Sequence, residues 1–178
     1  GAIGITETSG IELTDISNTA GGITVTSTAG NITAGTVSAG GAGNVSLTAN
    51  AGQILDDVAT LETDSTTRIS GNAITLTANS GIGTGRSDFD LDGNSFNVTT
   101  TTGALRVNVD DAINFATDTF DNNGAGDIVL STGGALDAPT LNAGTNTIRL
   151  TTRNAGADLS VTSLTAGNVI LNSQGAIT

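Results

Sequence analysis

The 178-residue sequence contains no Cys, His, Lys, Met, Tyr or Trp, and only one Pro and four Phe. Without Cys or His it can form no disulfide frame, thiol nucleophile, zinc knuckle, haem ligand or catalytic triad, and without Lys no Schiff base or P-loop. This inventory argues against an enzyme. No run of 18 apolar residues could span a bilayer, and residues 1–10 show neither the charged start nor the apolar run of a signal peptide. The sequence therefore reads as a mature piece without direct membrane insertion. Seventeen acidic residues against five Arg give a net charge of −12, which repels phosphate backbones and anionic lipid surfaces. Nucleic acid is not an expected partner.

What is abundant is Gly (25), Thr (32) and Asn (17). Such a composition could signal disorder, so the test is whether the apolar residues are periodic. They recur as apolar-x-apolar pairs at Ile3/Ile5, Ile23/Val25, Val45/Leu47, Ile74/Leu76, Phe96/Val98, Ile128/Leu130, Ile148/Leu150 and Val169/Leu171. Each pair reads as a short strand with alternating faces. A glycine follows at Gly10, Gly30, Gly52, Gly81, Gly103, Gly134, Gly156 and Gly175. The apolar signal then returns at Ile11, Ile32, Ile54, Ile82, Leu105, Leu136, Leu159 and Ile177, and a third position at Ile16, Val37, Val58, Phe89, Val109, Leu141 and Val161. Three strands per unit, with a glycine corner, make one coil. The pattern predicts an all-β chain without helices: a single three-faced β-solenoid over residues 1–178, of about eight coils. Two units are longer than the rest, and their extra residues, 59–73 and 110–126, are rich in Thr, Asp, Asn and Gly, which predicts corner-loop insertions able to carry specificity. Neither end carries a helix, charged cap or Pro to blunt the sheet edges. The expectation is an excerpt from a longer array, or coils that meet copies of themselves or neighbouring coils end to end.

Three groups of residues are candidates for chemistry. Behind the apolar pairs runs a column of hydroxyls, Thr6, Thr26, Thr48, Thr77, Thr99, Ser131 and Thr151, closed by Asn172. Stacked β-branched hydroxyl residues suit an exposed sheet, and Thr26, Thr48, Thr77, Thr99 and Thr151 form a candidate flat face for ice or surface glycans. The neighbouring column, Gly4, Thr24, Ser46, Thr75, Asn97, Val129, Arg149 and Ile170, loses regularity in its second half. Asp88, Asp90 and Asp92, followed by Gly93, match the opening of a calcium loop, although Thr99 stands where an EF-hand has Glu. Phe89 and Leu91 as inward residues would turn the three Asp outward as a solvated ladder. Asp118, Asp121 and Asp127 form a second acidic group in the longer insertion. No cofactor is expected, calcium being the one alternative that these acids raise. Asp56/Asp57, Asp88/Asp90 and Asp110/Asp111 have the residue type for glycoside hydrolysis, but no aromatic platform accompanies them. The five Arg are scattered and read as surface ion pairs.

The units Gly43-Asn-Val-Ser-Leu-Thr-Ala-Asn-Ala-Gly-Gln-Ile54 and Gly71-Asn-Ala-Ile-Thr-Leu-Thr-Ala-Asn-Ser-Gly-Ile82 resemble the haemagglutinin repeats of filamentous-haemagglutinin-like bacterial exoproteins of the two-partner secretion type. The resemblance covers essentially the whole chain. It implies a right-handed parallel β-helix, the handedness that chirality also favours for crossovers. It further implies an extracellular or cell-surface location and a role as the rod of an adhesin stalk or filament. The repeat residues of that family are structural, so no functional residue is carried over. The Asn-Pro motifs of its secretion domain have no counterpart around the one proline, Pro139.

Overall fold

The computed structural model describes residues 1–57, 69–83 and 89–178. Among them there is no helix, and the strands are β1 (Ile3–Glu7), β2 (Ile11–Asn18), β3 (Ile23–Ser27), β4 (Ile32–Ala39), β5 (Val45–Ala49), β6 (Ile54–Asp56), β7 (Ile69–Ala78), β8 (Phe89–Thr100), β9 (Leu105–Val109), β10 (Ile113–Asn114), β11 (Thr119–Asp121), β12 (Ile128–Thr132), β13 (Leu136–Asn142), β14 (Thr147–Thr152), β15 (Leu159–Thr165) and β16 (Asn168–Asn172). Every recorded pairing is parallel and joins residues about one coil apart. The chain is a β-solenoid, as the apolar periodicity predicted.

The ladders can be followed rung by rung. The first runs Ile3, Ile23, Val45, Ile74 and Phe96, and continues as Val98 pairs with Phe120. The second runs Ile11, Ile32, Ile54, Ile82, Leu105, Ile128, Ile148 and Val169. Its successive steps are 21, 22, 28, 23, 23, 20 and 21 residues, so the eight rungs enclose seven turns, slightly fewer than eight full coils. A third ladder joins Ile16, Val37, Ile69, Leu91, Val109, Thr132 and Thr152. A fourth, which among the described residues begins at β10, joins Ile113, Leu136, Leu159 and Ile177.

This register differs from the sequence reading in one respect with large consequences. Ile128, Ile148 and Val169 were expected on the first ladder and stand on the second, continuing Ile11 to Leu105. Each face carries the same apolar-x-apolar pair, so the pattern alone does not say which face a pair occupies. The 32 residues between Phe96 and Ile128 are therefore not one enlarged coil. Residues 110–126 form ordinary rungs: β10 starts the fourth ladder and β11 extends the first. In the other expected insertion, 59–73, residues 69–73 belong to β7, while 59–68 and the third-strand position Val58 lie outside the described residues.

A change of outline accompanies the fourth ladder. In β4 the second and third ladders are five residues apart, Ile32 to Val37, with Gly35 between them; in β9 they are four apart, Leu105 to Val109. The shorter spacing coincides with the start of the fourth ladder at β10. The interior is an aliphatic stack: Ile23, Leu47, Leu76, Ile32, Ile54, Ile82, Leu105, Leu130 and Ile148 are fully buried or within 1% of it. Fully burying each such side chain contributes about 1.5–3 kcal/mol before conformational entropy is charged against it.

Corners are built from close approach and from buried hydroxyls. Gly103 adopts φ +85°, and a Cβ there would run into the carbonyl oxygen of Ser80 on the preceding coil. At the end of β3, the fully buried Ser27 hydroxyl donates to the carbonyl oxygen of Ser9 at 2.5 Å and to that of Gly30 at 2.9 Å. Thr132 caps the carbonyl of Asp111 in the same manner, and Thr152 that of Ala157 at 2.8 Å. Backbone carbonyls that the bend removes from the ladder thus receive a side-chain donor.

Candidate functional site

The outward face of the first ladder is a hydroxyl array. Thr6, Thr26, Thr48, Thr77 and Thr99 stand in register on successive rungs, and Asp121 takes the sixth place. Two residues earlier on the same strands, Gly4, Thr24, Ser46, Thr75, Asn97 and Thr119 form the parallel column. All twelve are exposed or half-buried. With ladder spacing of about 4.8 Å and alternate residues about 6.6 Å apart, the hydroxyls form a flat rectangular net.

Thr151 is not part of this net. It pairs with Ser131 and Asn172 on the second ladder, as Arg149 does with Val129 and Ile170. The irregular half of the neighbouring column in the sequence was this other face. Thr119, which completes the net, escaped notice because it sits in a stretch read as a loop. Its signal was the spacing, one coil beyond Asn97.

The acidic candidates are dispersed by the same ladders. Asp88 lies outside the described residues, and Asp90, Asp92 and Gly93 belong to the extended strand β8. A strand spreads alternate side chains along its length, whereas a calcium loop wraps them around one ion. Asp92 is exposed, but Asp90, expected to face solvent, is 2% exposed and accepts a hydrogen bond from Nδ2 of Asn108 on the next rung. Asn108, its in-register partner, is itself 8% exposed, so the two side chains are shielded from solvent together. Among the described residues no group of three His, Cys, Asp or Glu is placed to hold a metal ion.

The second acidic group works within the backbone. Buried Asp118 accepts from the Asn114 N–H at 2.8 Å and from the Phe96 N–H at 3.1 Å, tying the turn after β10 to β8. Asp121 accepts from the Asn123 N–H at 2.8 Å. Asp127 accepts from the Thr147 N–H at 2.9 Å and from Arg106 at 3.1 Å. Arg153 pairs with Asp110 at 3.3 Å and donates to the Val109 carbonyl at 3.0 Å. Asp56 is buried and Asp57 exposed, as neighbours on an extended chain must be, so they do not face one another as a hydrolytic pair. At the end of β1, the Glu7 carboxyl is held below its ordinary value of 4.5, chiefly by the Ser9 backbone N–H, with further hydrogen bonds from the Ser9 hydroxyl and from Thr8.

Two features have no signature in the sequence motifs. Asn44, Asn72 and Asn94 form an exposed amide ladder, Nδ2 of Asn72 donating to Oδ1 of Asn44 and Nδ2 of Asn94 to Oδ1 of Asn72, both at 3.2 Å. Three of the four Phe meet at one place: Phe120 lies 6.1 Å from Phe96 and 5.7 Å from Phe115 between ring centroids. Phe115 and Phe120 line the cleft where the first ladder stops. Comparison with known proteins finds no matching family model, no matching curated sequence and no matching solved structure.

Proposed function

We propose that the solenoid is a structural rod segment of a bacterial cell-surface or secreted filament or adhesin. The observation that carries this is the second ladder, eight in-register rungs of which the six from Ile32 to Ile148 bury one continuous aliphatic column. Seven turns at about 4.8 Å each give a rod about 34 Å long, stiffened along its axis by parallel ladders. The resemblance of its units to filamentous-haemagglutinin-like repeats supports an extracellular stalk, and the net charge of −12 supports solubility and self-repulsion along a crowded surface. Among the described residues β1 and β2 at one end and β16 at the other each pair along one edge, which leaves the other edge able to accept a neighbouring coil or another copy. Immunogold labelling of producing cells is expected to decorate the envelope or extracellular filaments; labelling confined to the cell interior would overturn the reading.

A second reading rests on the hydroxyl net. Its two columns carry eight Thr and one Ser over six rungs, a flat array able to meet a repeating partner such as ice or a surface glycan. Thermal hysteresis by the intact chain, lost in Thr48→Tyr and Thr77→Tyr, would establish ice as that partner. Absence of hysteresis together with no retention on glycan arrays would remove this reading and leave the rod.

A further inference from the structure

We propose that the cleft where the first ladder ends is a docking groove for an extended cationic peptide segment of a partner protein, which adds a strand to the free edge of β11. The groove lies at the end of the hydroxyl net, whose last rung, Thr119 and Asp121, lines it, and it uses the backbone edge of that rung and not its hydroxyl face.

β11 pairs with β8 along one edge, and among the described residues no strand pairs along the other. The chain's path brings Thr140–Asn142 of β13 to the next rung: each segment precedes a corner, at Gly124 and Gly144, that leads into the second ladder. Those corners are in contact, since a Cβ on Gly144 would come within 2.6 Å of the Gly124 carbonyl oxygen. Yet Thr140–Asn142 pairs with β15 and not with β11. This is the seam between the 13-stranded and the 3-stranded sheet.

Local sequence opens the seam. After β10 the chain turns tightly, with the N–H groups of Thr117 and Asp118 donating to the Asn114 carbonyl at 2.9 and 2.8 Å, and Asp118 pins that turn to β8. One coil later the chain continues extended through Pro139, which has no N–H to give and is skipped in the pairing of β13 with β15. The two paths diverge into a wedge, closed at the glycine corners. Its volume is about 570 Å³. Phe115 and Phe120 give it an apolar wall, Thr119, Asp121, Thr140 and Asn142 a polar rim, and it is lined by two Asp and no basic residue.

A free strand edge offers alternating N–H and C=O groups, which another extended backbone matches residue for residue. Alternation then directs one side chain of the incoming strand onto Phe115 and its neighbours toward the rim. The exposed Asp121 carboxylate, in a chain of net charge −12, selects Lys or Arg at those neighbouring positions. With only three residues of edge available, affinity is modest, with Kd on the order of 10⁻⁴ M.

The test uses the ¹⁵N-labelled full chain and a blocked Lys-Val-Lys-Val-Lys-Val hexapeptide. The expected result is saturable shifts of the amides of Thr119–Asp121 and Thr140–Asn142, at least tenfold weaker binding with the same peptide N-methylated at alternate amides, and no binding of the Glu-Val counterpart. Asp121→Lys is expected to weaken binding at least tenfold. Because Asp121 also accepts from the Asn123 N–H, the rim variant Thr140→Lys serves as a second probe that leaves that bond in place. No shifts in these amides up to several millimolar peptide would overturn the proposal, as would equal binding of the N-methylated peptide. Shifts of the same amides by a neutral oligosaccharide, with none by the peptide, would also overturn it and assign the cleft to a glycan.

Discussion

At the scale of single residues, the fold depends on positions where two coils come closer than a side chain allows. Gly103 combines φ +85° with the carbonyl oxygen of Ser80 in the place a Cβ would occupy. Gly103→Ala is therefore expected to lower stability by about 1–3 kcal/mol, seen as a lower urea midpoint with an unchanged slope. An unaltered midpoint would show that the corner relaxes freely. Glu7 offers a reading of local electrostatics. Its folded carboxyl is depressed below 4.5 by hydrogen bonds that only the folded turn supplies. The sign follows: this interaction stabilises above the unfolded value and is lost as pH falls through the lower, folded value. A carbon-detected titration is expected to place the Glu7 midpoint below 4.5.

Elements, not residues, carry most of the cohesion. Leu47 on β5 is fully buried between Val25 of the rung before and Leu76 of the rung after. Leu47→Ala is expected to cost about 2–5 kcal/mol in urea unfolding, because neighbours held by two ladders cannot close around the void. At this scale the sequence was clear about strand existence and unclear about strand address. The pairs Ile3/Ile5 and Ile128/Leu130 look alike, and nothing in their chemistry says that one stands on the first ladder and the other on the second. Phe120 was the missing rung: with a single apolar residue between Thr119 and Asp121, β11 lacked the apolar-x-apolar signature that marked the others. Restoring it makes the hydroxyl net regular, since Val129, Arg149 and Ile170 leave its second column. The calcium reading at Asp90 and Asp92 had the opposite fault, a motif whose residues are right and whose backbone is a strand. The amide ladder of Asn44, Asn72 and Asn94 could be read only once the rungs were aligned, because its spacing varies between 28 and 22 residues.

Over the whole molecule, the scarcity of aromatics and the abundance of Gly, Thr and Asn have one cause. A narrow stack needs aliphatic columns inside, close contact at corners and β-branched hydroxyl residues outside. The outline is nonetheless not uniform. Where Phe96, Phe115 and Phe120 gather, the spacing between the second and third ladders shortens from five residues to four, a fourth ladder begins and the first stops at β11. That change of outline separates a uniform section, bearing the hydroxyl net, from a section with a cleft in its wall. The stacking order of the coils defines the molecule, and a chain without Cys allows it to be measured directly. Adjacent rungs lie about 4.8 Å apart, within reach of a disulfide. Thr99→Cys combined with Asp121→Cys is expected to oxidise readily to an intramolecular disulfide, while Thr99→Cys combined with Ser131→Cys stays reduced; the reverse outcome would contradict the stacking described above.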